Sequence, residues 1–377
     1  MRKLRIAVNT RLLLKNKLEG IGWFTYESLK RIVLSNPQHD FFFIFDRKFD
    51  QQFIFADNIT PIVIGPPARH PVLFYIWYEY SIPKVLKKIG ADVFISPDAF
   101  CSLRTKTKTL IVIHDLNFEH YPEHLPKLIR KYYRYFTPRF VKKADRIATV
   151  SEFSKQDIVK QYGVDPEKID VVYNGANKVF RKVEEEIKKT IREKFTEGKA
   201  YFLFIGAISP RKNLTNLFRA FDSYRKNKKT DARLLVVGEK MWWNTEIEDV
   251  YENMSFKDDV CFTGRLEPDE LGKVVGSALA LTYVSFFEGF GIPIIEAFNA
   301  ETPVITSNVT SMPEIAGDAA ILIDPFKPES IAKAMEDITF NDSLRKSLIA
   351  KGNERKLIYS WENTANNLWR SIEKITE

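Results

Sequence analysis

The chain has 377 residues, 45% hydrophobic and 13% aromatic, with 57 Lys/Arg against 49 Asp/Glu and a formal net charge of +8. That length holds roughly two domains with full cores, and the composition is that of an ordinary soluble globular protein. No run approaches the roughly 18 apolar residues of a membrane-spanning helix. The two cysteines, Cys101 and Cys261, fall in different halves, which points to a reducing compartment and away from a disulfide framework or a zinc site.

The chain opens with "MRKLRIAVNT", whose basic start leads into a short strand rather than the apolar stretch and cleavage site of a signal peptide. "LEGIGWFTYESL" follows, placing Gly20 and Gly22 in a loop just before a helix. Further strand candidates are "DFFFIF", "PIVIG", "ADVFIS", "TLIVIHD", "RIATVS" and "IDVVYNG". Short β-branched runs alternating with helical patterns read as α/β architecture with a parallel sheet. His114 ends one strand in "IVIHDL"; Ser151 in "VSEFS" has the position of a helix N-cap.

Charge is uneven along the chain, with 29 Lys/Arg against 18 Asp/Glu up to Lys178 and 28 against 31 beyond it. Two segments mix the excess with aromatics, "RHPVLFYIWYEYSIPKVLKKIG" (69–90) and "HLPKLIRKYYRYFTPRFVKKADR" (124–146). In the second, helical spacing puts Leu128, Tyr132 and Phe136 on or near one face, with Lys131, Arg134, Lys142 and Lys143 on polar flanks. Two readings stand: a packed amphipathic helix with a solvated basic face, or contact with an anionic bilayer or lipid-linked substrate. No nucleic-acid recognition motif is present, so no nucleic acid is expected as partner.

The charged stretch "RKVEEEIKKTIREKF" (181–195) reads as a hinge or first helix, and a second series follows: "AYFLFIG", "ARLLVVG", "DVCFTG", "ALALTYVS", "PVITS" and "AAILID". This gives two similar halves, residues 1–180 and 181–355, with an amphipathic helix over 356–377 expected to pack back on the first. Ligands of parallel-sheet domains bind at the carboxyl ends of the strands.

At one such end stands "SFFEGFGIPIIEAFNA", a strand, a glycine turn and a helix start with Pro293 in an early, tolerated position. Free amides and the positive end of a helix dipole converge there, and Gly289 and Gly291 admit a ligand close to the backbone. A diphosphate suits that place. The stretch also contains two carboxylates, Glu288 and Glu296, although burying an unpaired charge is costly. A polyhydroxylated ligand would satisfy both; alternatively Glu288 is solvated and Glu296 favours the helix start.

Glu288 and Glu296, with seven residues between them, resemble the Glu-x7-Glu motif of retaining glycosyltransferases of family 4. "GIGWFTYESL", "IVIHDL", "ADRIATVSEFSKQDI", "VVYNGAN", "FIGAISPRKNL", "FTGRLEPDEL", "SMPEIAGDAAILIDP" and "YSWENTA" match that family in order across nearly the whole chain. The resemblance implies the GT-B fold: two Rossmann-like domains with parallel sheets facing a central cleft, the N-terminal one on the acceptor side and the C-terminal one binding the nucleotide-sugar. It assigns Glu288 to the donor sugar hydroxyls and Glu296 to the ribose. Gly291 and Ile292 would hold the donor phosphates, aided by Gly20 and Gly22, and backbone groups near Arg265 and Leu266 would meet the base. Lys212 matches the cation that stabilises the diphosphate. Many members carry Arg directly after the glycine of this loop, where this chain has Ala207; Arg211 is the available substitute, although adjacent side chains usually diverge. The matching histidine, His114, lies near the reaction centre in the family, and Ser151 matches a serine facing the cleft.

The implied activity is transfer of a hexose from a nucleotide-diphosphate sugar to a hydroxyl of a glycan or lipid-linked saccharide, with retention of anomeric configuration. The mannosyl-using branch is the nearer match, with GDP-mannose as donor and surface polysaccharide or glycolipid as product. A UDP-hexose donor is the same-class alternative; an epimerase or phosphorylase of the same fold, or a binding protein without catalysis, are the others. No cofactor and no metal are expected, because the cationic loop does the metal's work. The expected location is cytoplasmic, peripheral at the inner face of the cell membrane.

Overall fold

The computed structural model describes residues 2–15, 17–240 and 243–377. The chain forms two compact units, one made of the residues up to Asn174 together with Trp361–Glu377, the other of Gly175–Ser360. The chain therefore passes from the first unit to the second and returns.

Seven parallel strands build the first unit: β1 (Arg5–Asn9), β2 (Asp40–Phe45), β3 (Ile59–Val63), β4 (Val93–Ser96), β5 (Lys108–Ile113), β6 (Arg146–Thr149) and β7 (Ile169–Val171), in the order 3-2-1-4-5-6-7. Runs such as "VFIS" and "TLIVI" are apolar on both faces because helices cover both faces of the sheet, and β4 is buried along its whole length. The helix Trp361–Thr376 closes this unit with Trp361, Ala365, Leu368, Ile372 and Ile375 buried. Trp369 stacks on His39, Lys374 bridges to Asp170 at 2.7 Å, and the Thr364 hydroxyl donates to the Tyr173 carbonyl at 2.6 Å.

Six parallel strands build the second unit: β8 (Tyr201–Ile205), β9 (Arg233–Val237), β10 (Val260–Gly264), β11 (Ala280–Tyr283), β12 (Val304–Ser307) and β13 (Ile321–Ile323), in the order 10-9-8-11-12-13. Its core joins Phe202, Phe204, Leu234 and Val236 of the sheet to Leu217, Phe218 and Phe221 of the helix Leu214–Asn227 and Ile331 and Met335 of Pro328–Phe340. All thirteen strand candidates of the sequence are strands, and the charged stretch between the two series is the helix Glu185–Thr196.

Two expectations about the first unit need correction. Gly20 and Gly22 are not in a loop: both lie in the first turn of the helix Gly20–Ser35. In the helix Lys127–Lys143, Tyr132 is buried and Phe136 partly buried, but Leu128 lies on the outer face at 50% exposure. Eight residues span 800° at ordinary helical pitch, so Leu128 falls about 80° from Phe136.

Candidate functional site

In the second sheet the chain order reverses between β8 and β11, so the loops leaving these neighbours part at their carboxyl ends, where ligands of open α/β sheets bind. Strands β8, β9 and β10 each run into a glycine of positive φ: Gly206 (+140°), Gly238 (+151°) and Gly264 (+70°). Gly238 shows the reason, since a Cβ there would stand 2.0 Å from the Gly206 carbonyl oxygen. The strand ends approach one another more closely than side chains permit.

After Gly206 the chain makes one 3-10 turn, Pro210–Lys212, passes through Asn213 in the left-handed region (φ 59°), and enters the helix Leu214–Asn227. The Asn213 amide donates to the carbonyls of Val284 (2.9 Å) and Pro325 (2.8 Å), and the Phe286 amide donates to the Arg211 carbonyl at 2.8 Å. The β8 loop is thereby fastened to the loop after β11. From this turn two consecutive side chains reach one carboxylate: Arg211 Nη1 is 2.8 Å from Glu288 Oε2, and Lys212 Nζ is 2.6 Å from Oε1. Lys212 also donates to the Tyr283 hydroxyl at 2.7 Å and lies 4.6 Å from that ring's centre; Arg211 donates to the Phe287 carbonyl at 3.1 Å.

Glu288 is 7% exposed. Burial pushes its carboxyl up, but Arg211 and Lys212 together outweigh it and hold the group down at about 2. From the sequence, a polyhydroxylated ligand or solvent is expected to partner this acid; in the structure it also has internal partners, the two cations. Two cations against one carboxylate leave the cluster with one net positive charge. The turn around Glu288 is pinned from a third side, where the Ser311 hydroxyl donates to the carbonyls of Glu288 (2.9 Å) and Phe290 (3.0 Å) and the Glu288 amide donates to Thr310 Oγ1 at 3.3 Å.

Glu296 is the opposite case. It sits on the helix Ile292–Asn299, half-buried, and among the described residues no cation or hydrogen-bond donor reaches its carboxylate. Burial alone pushes its carboxyl up to about 8. Gly291 (φ 100°) is the N-cap of that helix and supplies no side-chain cap; Pro293 has no N–H and the Ile294 amide donates to the Gly291 carbonyl at 3.0 Å, so the Ile292 amide is the one at the helix start that no capping side chain covers. Arg265, exposed, and Leu266, partly buried, follow the edge strand β10, two strands from β8.

In the first sheet the reversal lies between β1 and β4. Sequence reasoning missed what stands there: Arg11 Nε bonds Asp98 Oδ2 at 2.5 Å, Tyr78 donates to the same carboxylate at 3.0 Å, and Asn9 Nδ2 donates to Tyr78 (2.9 Å) and Ser96 (3.1 Å). These residues are widely spaced in the chain and form no motif; only the sheet order joins them. His114, at the end of neighbouring β5, has Nε2 2.9 Å from the Pro97 carbonyl. A carbonyl only accepts, so Nε2 carries the hydrogen and Nδ1 presents a lone pair. Burial lowers the pKa of the ring against the pull of that carbonyl, and Phe24 meets it edge-on at 4.9 Å. Asp115 accepts from the Asn117 amide at 2.9 Å, a local turn, and Ser151 caps the helix Glu152–Tyr162 by accepting from the Ser154 amide at 3.0 Å. Gly20 is exposed, whereas Gly22 is buried where a Cβ would stand 3.1 Å from the Leu12 carbonyl oxygen. Among the described residues no three His, Cys, Asp or Glu are grouped to share a metal ion.

Residues 185–355 match the family described as glycosyl transferases group 1, and residues 29–178 match glycosyltransferase family 4. The O-antigen chain mannosyltransferase B of Escherichia coli is 24% identical over 362 residues, 93% of this chain and 94% of its own length. The O-antigen chain mannosyltransferase RfbU of Salmonella typhimurium is 29% identical over 310 residues, 81% of each chain. Among solved structures, Anabaena Alr3699/HepE in complex with UDP and glucose superposes with a TM-score of 0.74 at 15% identity, covering 98% of this chain and all of that one. Two parallel Rossmann-like sheets and this likeness over the full length give the GT-B fold.

Proposed function

Starting from an enzyme that transfers sugars and has the GT-B fold, we propose that this chain is a mannosyltransferase of surface-polysaccharide assembly, using GDP-mannose and retaining the anomeric configuration. The carrying observation is the convergence of Arg211 and Lys212 on Glu288 beside the uncapped start of the helix Ile292–Asn299. The names of the O-antigen relatives support the sugar and the product class, and the Glu-x7-Glu pattern supports retention.

In the reaction the bond between the sugar's anomeric carbon and the diphosphate oxygen breaks, and GDP leaves with the electron pair. The acceptor hydroxyl oxygen bonds the anomeric carbon on the same face, and its proton passes to a donor phosphate oxygen. The transition state gains negative charge on the diphosphate. Lys212, Arg211 and the amides around Gly291 and Ile292 are held to meet it, and fixed cations cost no reorganisation at that moment. Glu288 acts first as the strut that aims both cations; its contact with the sugar hydroxyls is made when they lie alongside. Glu296 takes the ribose hydroxyls, and the backbone near Arg265 and Leu266 takes the base. The family resemblance extends donor roles to His114, whose Nδ1 can accept a hydroxyl's hydrogen bond, and to Gly20. The acceptor is a glycan or lipid-linked saccharide, and the reaction takes place at the inner face of a membrane, without a metal or other cofactor.

Calorimetric titration with GDP and UDP, without divalent metal, tests the donor. Micromolar GDP binding that weakens at least ten-fold in Glu296→Ala supports the proposal. Preference for UDP moves the donor to a UDP-hexose, and binding of neither by folded protein overturns the transferase site.

A further inference from the structure

The basic excess of the first unit has no role in the donor site, yet the fold gathers it with aromatics into one surface. The helices Pro71–Ile76 and Ile82–Ile89 are joined by a π turn, Trp77–Ser81. Residues five apart on an α-helix point about 140° away from each other. The wider turn undoes this, and Tyr75 and Tyr80, 36% and 42% exposed, meet with ring centres 6.0 Å apart. Tyr75 continues the contact to Phe136 (5.9 Å) and Phe136 to Tyr135 (4.9 Å) on the helix Lys127–Lys143. An arginine covers each end of this row: Arg104 lies 4.3 Å from the centre of Tyr80, and Arg139 lies 3.6 Å from that of Tyr135.

Val72 and Ile76 extend the apolar part, and Leu128, Lys131, Tyr135 and Arg139 recur at spacings of three and four along the outer face of Lys127–Lys143. That helix has seven Lys/Arg and no acid. The one acid between residues 69 and 90, Glu79, is turned inward, accepting from the Leu103 amide at 2.9 Å with Arg104 3.9 Å away. Exposed tyrosines flanked by arginines, with aliphatic residues between, fit the headgroup level of a bilayer, where a ring is half in hydrocarbon and half in water. Among the described residues no helix is long and apolar enough to cross a membrane.

We propose that this face, Val72, Tyr75, Ile76, Tyr80, Tyr135 and Arg139 at its centre, seats the first unit on a bilayer containing anionic lipid. Both charge and ring insertion are required. Each basic side chain near an anionic surface is worth about a five-fold gain in affinity, and the rings add apolar burial that salt does not screen.

The test is flotation with vesicles of phosphatidylcholine alone or with about one-third phosphatidylglycerol, using the full chain and no nucleotide, so that it is independent of the donor reading. Wild type should float with the anionic vesicles alone. Lys131→Glu with Arg139→Glu should weaken this at least ten-fold, and Tyr75→Ser with Tyr135→Ser several-fold. Lys160→Glu with Arg370→Glu, equal in charge change but on the helices Glu152–Tyr162 and Trp361–Thr376 of the same unit, should float like wild type. All variants are exposed replacements, and an unchanged circular dichroism spectrum and thermal midpoint verify folding. Failure of wild type to float, equal loss in the Lys160/Arg370 control, or undiminished flotation of the tyrosine variant each overturns the proposal. Capture of the chain by a soluble polyanion such as heparin but not by vesicles does so too.

Discussion

The two glutamates of one nine-residue stretch differ in ionisation because one has cations and the other has none. Glu288 is held at about 2, so the stability it contributes is present above the ordinary carboxylate value of about 4.3 and lost as pH falls through 2. Glu296, pushed to about 8, works in reverse: the folded state is favoured below about 4.3, and that advantage is lost as pH rises through 8. Glu296→Gln should therefore flatten the decline of stability between pH 5 and 9 seen by urea unfolding in the free protein. Under the proposed ribose contact, nucleotide binding should tighten as Glu296 ionises with rising pH across the same range, and calorimetry on Glu296→Gln should show that slope gone. Glu288→Ala removes the carboxylate that buried Lys212 and partly exposed Arg211 share, and breaking a buried pair by removing one partner costs about 3–5 kcal/mol. Its unfolding midpoint should fall at every pH from 5 to 8, together with loss of transfer.

At the level of elements, the close approach of strand ends makes a graded prediction. Gly238→Ala places a methyl 2.0 Å from the Gly206 carbonyl and should cost several kcal/mol, read by denaturant unfolding; Gly264→Ala meets open space and should cost only the left-handed backbone penalty of about 1–2 kcal/mol. Strands and their order along the chain were legible in the sequence because buried parallel strands are continuous apolar runs bounded by turns, as "YFLFIG" and "LLVVG" are. The Glu288 stretch was legible because its glycines, proline and acids lie together. What was not legible depends on sheet order: β8 lies beside β11 across 74 intervening residues, and that placement brings the cations to Glu288. The Arg11–Asp98–Tyr78 network was hidden for the same reason. Leu128 and the glycine pair were misplaced by a fraction of a helical turn, a distance that periodicity does not fix when both faces of a helix contain apolar residues.

For the whole molecule, the first unit is discontinuous: its last helix, Trp361–Thr376, comes after the entire second unit. A fragment ending at Asn174 leaves the surfaces under Trp361, Leu368 and Ile372 uncovered. It should expose apolar surface to dye and resist urea less than the same fragment supplied with a peptide of residues 361–377. During synthesis the same connectivity becomes a matter of timing. At about 5–20 residues per second, the ribosome needs on the order of 10–40 s to pass from Asn174 to Trp361, and through that interval the first unit waits without its closing helix. The second unit, continuous in the chain, is complete while the first is still open, so of the two units the one whose synthesis starts earlier finishes folding later.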